Sequence, residues 1–201
     1  MSGRFRAPLH RELFGKTVAV VGLGPIGLAA ARLTKAFGTT VVGLNRTLRE
    51  RPPFVDELCP LSDLLRVMPR CDFVAVCVAH AAETTGLIDA AALRTMKRDT
   101  VVVNVARGPV IDEQALYEAL RDRTIAGAVI DAWYQYPHDG DFQLRPSRFP
   151  FHELPNVLMT PHSAIWTEGM IERRWAVIAQ NIEAIARGST ELLRHVVRPS
   201  V

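Results

Sequence analysis

The chain has 201 residues, 48% of them hydrophobic and 22% charged, with a formal net charge of +3, enough to bury one sizeable core in one domain. Arginines and lysines are scattered rather than gathered into a stripe, which argues against a nucleic-acid surface, and no apolar stretch is long enough to span a bilayer. The three cysteines, Cys59, Cys71 and Cys77, are odd in number and lack C-x-x-C spacing, so they read as reduced thiols in or near the core of a cytoplasmic protein, with no metal site.

Residues 1–16 form a mildly amphipathic arm without the features of a signal peptide; its Phe5, Leu9, Leu13 and Phe14 suit either a homodimer contact or packing on their own domain. A strand is predicted over 17–21 and a helix over 25–37, closing at Gly38, with Gly22-Leu23-Gly24-Pro25-Ile26-Gly27 between them. A second strand, 39–44, carries no charge and ends at Asn45. A G-x-G-x-x-G run alone is a weak signal. Between strand and helix it lets the backbone turn tightly, approach a pyrophosphate and aim helix N-terminal amides at it. A dinucleotide site at Gly22, Gly24, Pro25, Ile26 and Gly27 is therefore the leading reading.

Further along, a helix near 61–68, a strand at 73–78, a helix near 89–96 and a strand at 100–103 are expected. Asp112 reads as the N-cap of a helix running to Arg121, followed by a strand at 125–130. Residues 132–154 hold Pro137, Gly140, Pro146 and Pro150, lack helical period and read as a long loop, a second candidate dimer contact. A short strand at 157–160 and a long helix follow. In that helix Ile171, Trp175, Ile178, Ile182 and Ile185 make one apolar stripe, expected to face the sheet as core. The fold class is α/β: a Rossmann-type doubly wound parallel sheet with helices on both faces, a single domain over 17–190 with a tail at 191–201.

In such sheets ligands bind beyond the carboxyl ends of the strands. Arg107, Asp131 and His162 each follow a predicted strand end, and one sheet edge would gather them. Each alone is more often structural than functional. Val78 and Val105 occupy equivalent positions where backbone lines a cofactor, or they are ordinary core.

With these residues in hand, the chain resembles the NAD(P)-binding domain of the D-isomer-specific 2-hydroxyacid dehydrogenases, from about Glu12 to Val197. The resemblance rests on Gly15-Lys16-Thr17-Val18 leading into the glycine loop, Asn104-Val105-Ala106-Arg107-Gly108, Ala126-Gly127-Ala128-Val129-Ile130-Asp131 and Asn156-Val157-Leu158-Met159-Thr160-Pro161-His162. It implies hydride transfer between a nicotinamide and C2 of a small 2-oxo or 2-hydroxy acid. Arg107 would hold the substrate carboxylate, His162 would exchange a proton with the carbonyl oxygen, and Asp131 would lie near the nicotinamide.

The chain departs from the family pattern twice. Where the family places a glutamate paired with the catalytic histidine, this chain has Tyr136, a neutral phenol that orients an imidazole but stabilises its positive charge less. Asp139, Asp141 and Glu153 are the carboxylates able to substitute. At the end of the second strand, Asn45-Arg46-Thr47 stands where NAD-binding folds carry an acidic residue for the ribose 2′-hydroxyl. No carboxylate there repels a 2′-phosphate and Arg46 can pair with one, which favours NADP(H) over NAD(H); alternatively Arg46 stacks on adenine or points to solvent. The glycine loop begins at Gly22, so the family's substrate-binding domain, built mostly ahead of it, is expected to be absent. A non-catalytic, cofactor-sensing or interaction module of the same fold is the competing reading.

Overall fold

The computed structural model describes residues 11–48, 50–137 and 144–194. Seven strands run in parallel: β1 Thr17–Val21, β2 Thr40–Asn45, β3 Glu57–Pro60, β4 Phe73–Val76, β5 Val101–Asn104, β6 Gly127–Ile130 and β7 Val157–Met159. Helix α1 (Pro25–Ala36) links β1 to β2, and the short α2 (Leu64–Val67), flanked by 3₁₀ turns, links β3 to β4. Helices α3 (Ala90–Thr95) and α4 (Glu113–Arg121) precede β5 and β6, and α5 (Glu168–Ala186) follows β7. The sheet order is β3-β2-β1-β4-β5-β6-β7. The chain winds outward from β1 to β3, returns to the other side of β1, and winds outward again to β7. A crevice opens at that reversal, between the carboxyl ends of β1 and β4, where doubly wound sheets take their ligands.

The strands read as unbroken apolar runs because both sheet faces are covered. On β1, Val18 and Val20 enter a cluster with Val41, Val55 and Ala31 of α1. Ala19 and Val21 enter the larger one with Val42, Leu44, Val74, Val76, Leu93 and Leu116. The expected helix starts hold: Asp89 and Asp112 accept hydrogen bonds from the Ala92 and Ala115 amides, both at 2.8 Å. Gly38 closes α1 with a φ of +74°, a left-handed conformation suited to glycine.

Three features differ from the sequence reading. Strand β3 was not expected: it is four residues long, contains Glu57 and ends on Pro60, a composition tolerated on a sheet edge. The helix expected near 61–68 is broken into 3₁₀ turns around four α-helical residues, with Pro69 in the second turn. The chain forms two compact units, Met1–Pro161 and His162–Val201. Finally, the stripe on α5 is not core. Ile171, Trp175, Ile182 and Ile185 are exposed, Trp175 to 65%, and Ala184 is the buried residue of that helix. A period of four and three establishes an apolar face without saying what covers it.

The second unit is α5 and the turn behind it. Thr167 caps the helix through the Met170 amide, and Asn181 and Arg194 exchange two hydrogen bonds. No described helix is long and apolar enough to cross a membrane. Of the N-terminal arm, Phe5 and Leu9 lie outside the described residues, Leu13 is half-buried and Phe14 is exposed, its ring lying against Gly38.

Candidate functional site

The glycine loop is shaped by steric necessity. Gly22 has a φ of +96°, and a Cβ on it would meet the Val78 backbone nitrogen at 2.7 Å. A Cβ on Gly27 would come within 1.8 Å of the Gly22 carbonyl oxygen, so helix and loop approach each other only because Gly27 has no side chain. Gly24 is different: a Cβ there would meet nothing within 4 Å. It is the N-cap of α1, whose first turn has no side-chain cap and no acidic residue. Among the described residues, no side chain caps the amides that open the helix, which leaves them able to take an anion.

Asn45 ties this loop to the next. Its Oδ1 accepts the Leu23 amide at 3.3 Å, and its Nδ2 donates to the Thr47 carbonyl at 2.8 Å. Leu23, Gly24, Pro25, Leu28, Asn45, Arg46 and Thr47 surround one hollow. Beside it, a cavity of about 370 Å³ is bordered by Gly22, Gly24, Asn45, Arg46, Val78 and Glu83, among others. The Arg46 guanidinium donates to Glu83 across that cavity at 2.6 Å.

A third cavity, of about 520 Å³, brings Gly24, Pro25 and Ile26 together with Val78, Val105 and Arg107. The switch-point topology accounts for this gathering: β1, β4 and β5 are successive neighbours, and these residues follow their carboxyl ends. Asn104, buried at the end of β5, builds the turn that presents Arg107. Its Oδ1 accepts the Ala106 amide and its Nδ2 donates to the Arg107 carbonyl, at 3.1 and 3.2 Å. Arg107 donates from Nη1 to the Ala106 carbonyl at 2.7 Å. Asn104 was not among the expected site residues, although the strand-end placement that marked Val105 applies to it equally. Cys77, Ala79, His80 and Ala106 also line this cavity. Burial pushes the thiols of Cys71 and Cys77 up to about 11. Cys71, fully buried, is expected to react slowly with a disulfide reagent at pH 8 in the native protein and rapidly in guanidinium; equal native and denatured rates at Cys71 would contradict its burial.

Asp131 sits one strand further on. Its amide donates to the Asn104 carbonyl, and its carboxylate accepts the Thr160 hydroxyl at 2.6 Å. Tyr136 borders a separate cavity of about 420 Å³ with Trp133, Gln135, Leu144, Met159 and Thr160. Its phenol oxygen accepts the Trp133 amide at 2.8 Å. Of the carboxylates able to stand in for a glutamate, Asp139 and Asp141 lie outside the described residues, and Glu153 is exposed at the end of a 3₁₀ turn. His162 opens the second unit with a φ of +56°, a left-handed conformation uncommon away from glycine and often found where function constrains the backbone.

An uncapped helix N-terminus, a glycine cradle and a switch-point crevice define a dinucleotide-binding domain of the Rossmann type. The family model for the D-isomer specific 2-hydroxyacid dehydrogenase NAD binding domain matches residues 1–164, and the chain belongs to that family. It is 35% identical to the glyoxylate reductase of Pyrococcus horikoshii over 90% of this chain and 51% of that protein. Among solved structures, D-lactate dehydrogenase with NAD+ from Lactobacillus jensenii superposes with a TM-score of 0.81 at 27% identity, covering 98% of this chain and 60% of that one. An NADPH-dependent glyoxylate/hydroxypyruvate reductase from Sinorhizobium meliloti, in complex with NADP and sulfate, gives 0.79 at 26%, covering 96% and 58%. The chain thus spans about half the length of the reductase from Pyrococcus horikoshii.

Proposed function

We propose that this domain binds a nicotinamide dinucleotide and serves hydride transfer between that cofactor and C2 of a small 2-oxo or 2-hydroxy acid. The observation that carries this reading is the cavity in which the start of α1 meets Val78, Val105 and Arg107. The α1 amides and Gly24 hold the pyrophosphate, with Gly22 and Gly27 permitting its approach. Arg107 holds the substrate carboxylate through its planar guanidinium. His162 gives a proton to the carbonyl oxygen in reduction and takes it back in oxidation, Asp131 serves the nicotinamide side, and Tyr136 stands in sequence where the family's glutamate does. The bound cofactor supplies or accepts the hydride.

NADP(H) is the favoured cofactor. Relatives of this fold are bound to NAD+ and to NADP, so the fold does not choose between them. The charge at the end of β2 supports the choice, since Asn45, Arg46 and Thr47 offer a cation and no carboxylate. Exposed Phe14 and Phe37 support a homodimer contact, and three free cysteines fit a cytoplasmic protein. A second reading, a cofactor-sensing module without turnover, draws on Tyr136 in place of the family's glutamate.

Calorimetric titration with NADPH and NADH tests the binding claim. The expected result is saturable heat with both and a lower Kd for NADPH; no heat with either overturns the proposal, and tighter NADH overturns the preference. NADPH oxidation with glyoxylate separates the two readings. Slow turnover that falls at least about 100-fold in Arg107→Gln supports the enzyme, whereas binding without turnover supports the sensing module.

A further inference from the structure

The carboxylate that this family of folds places after the second strand is missing here, yet an acidic side chain reaches the same cavity from the opposite wall. Glu83 lies in the 3₁₀ turn Ala82–Thr84, downstream of β4, and its carboxylate accepts Arg46 Nη1 at 2.6 Å. β2 and β4 flank β1 on either side, so the ion pair bridges the crevice from one wall to the other. The turn beneath Glu83 is well tied: the Ala81 amide donates to Thr84 Oγ1, which in turn donates to the Ala79 carbonyl, both at 2.8 Å. Both ends of the ion pair are exposed, Arg46 to 75% and Glu83 to 53%. Exposed pairs of this kind add little to stability, so a ligand can part them at small cost to the fold.

We infer that Glu83 is a residue that determines the choice between the two nicotinamide dinucleotides, acting as the counter-ion that a 2′-phosphate must displace from Arg46. The inference rests on the proposed binding of the dinucleotide in this crevice. A 2′-phosphate is an acceptor for the same guanidinium and repels the same carboxylate, so Glu83 opposes NADP(H) twice. A 2′-hydroxyl carries no charge, leaves the Arg46–Glu83 pair in place and gains an acceptor in the carboxylate. Glu83 therefore holds back a preference that Arg46 creates.

Titration of NADPH and NADH into the wild-type chain, Glu83→Gln and Arg46→Gln tests this by binding alone. Glu83→Gln is expected to lower the NADPH Kd about three- to tenfold and leave the NADH Kd within about twofold. Arg46→Gln is expected to weaken NADPH about tenfold or more with little effect on NADH. Because the pair is exposed, the melting temperatures of both variants should match the wild type; Glu83→Ala provides a second variant with the same expected ratio shift. If Glu83→Gln moves both cofactors by one factor, or neither, the inference fails. If the wild type binds NADH more tightly but Glu83→Gln still shifts the ratio toward NADPH, the overall preference is wrong while the role of Glu83 stands. Absence of binding to all chains overturns the site itself and the inference with it.

Discussion

Gly24→Val should leave the fold standing and weaken dinucleotide binding by about 100-fold or more, equivalent to about 2.7 kcal/mol. Gly24 has a φ of −73° and extended backbone, which any residue adopts, and a Cβ there would touch no protein atom within 4 Å. Nothing within the described protein requires glycine at this position. The stability change should be within about 1 kcal/mol, the ordinary scale of a helix N-cap substitution. The space a valine would occupy is the space above the α1 amides, where the pyrophosphate is proposed to sit. Gly27→Ala should behave oppositely. Its Cβ would lie 1.8 Å from the Gly22 carbonyl oxygen, a clash between backbone groups that no rotamer relieves. The cost should be about 3 kcal/mol or more of folding free energy, read as a lower urea midpoint with or without cofactor. Normal binding by a folded Gly24→Val protein would remove the pyrophosphate from this loop. Unchanged stability in Gly27→Ala would contradict the helix–loop approach.

The contrast between these glycines shows what a sequence carries and what it does not. The motif spacing places all three in a strand–turn–helix context, and the uncharged runs of β1, β2, β4 and β5 report burial on both faces. The Asp112 cap is local and equally legible. Relations between distant segments are not. Strand β3 exists because its backbone pairs with β2, and Glu57-Leu58-Cys59-Pro60 carries no strand signal of its own. The Arg46–Glu83 pair joins residues 37 positions apart, through a turn geometry that no periodicity reports. The tie that Asn45 makes between two loops, through the Leu23 amide and the Thr47 carbonyl, is likewise invisible to periodicity. The exposed α5 stripe marks the same boundary, since amphipathicity is a property of one helix and burial a property of its neighbours.

Glu113 supplies the largest expected effect away from the crevice. It is the first residue of α4 and is buried, with its Oε1 accepting the Ser147 hydroxyl at 2.8 Å and the Arg148 amide at 2.9 Å. Its Oε2 accepts Arg148 Nε at 2.7 Å. These bonds anchor the return of the loop after β6, next to Pro146, whose carbonyl accepts the Tyr134 and Gln135 amides. The carboxylate therefore fixes the segment that carries Tyr136. The Arg148 side chain is largely exposed, so most of the value lies in satisfying the buried Ser147 hydroxyl and the Arg148 amide. Glu113→Leu should cost about 2–3 kcal/mol by leaving those donors unpaired, whereas Glu113→Gln, which keeps acceptor oxygen, should cost about 1 kcal/mol. Burial by itself would push this carboxyl up, but the hydrogen bonds from Arg148 and Ser147 together outweigh it and hold it below its ordinary value of 4.5. A carboxyl held low in the folded state binds fewer protons there than in the unfolded chain, so its contribution is fully present above that ordinary value. It is lost as pH falls through the folded value. Urea unfolding of the wild type and Glu113→Gln at pH 7, 5, 4 and 3 should give a stability difference that is flat from 7 to 5 and narrows toward 3. A difference that widens in acid would reverse the sign of the linkage and show that the Glu113 carboxylate is not held by these bonds.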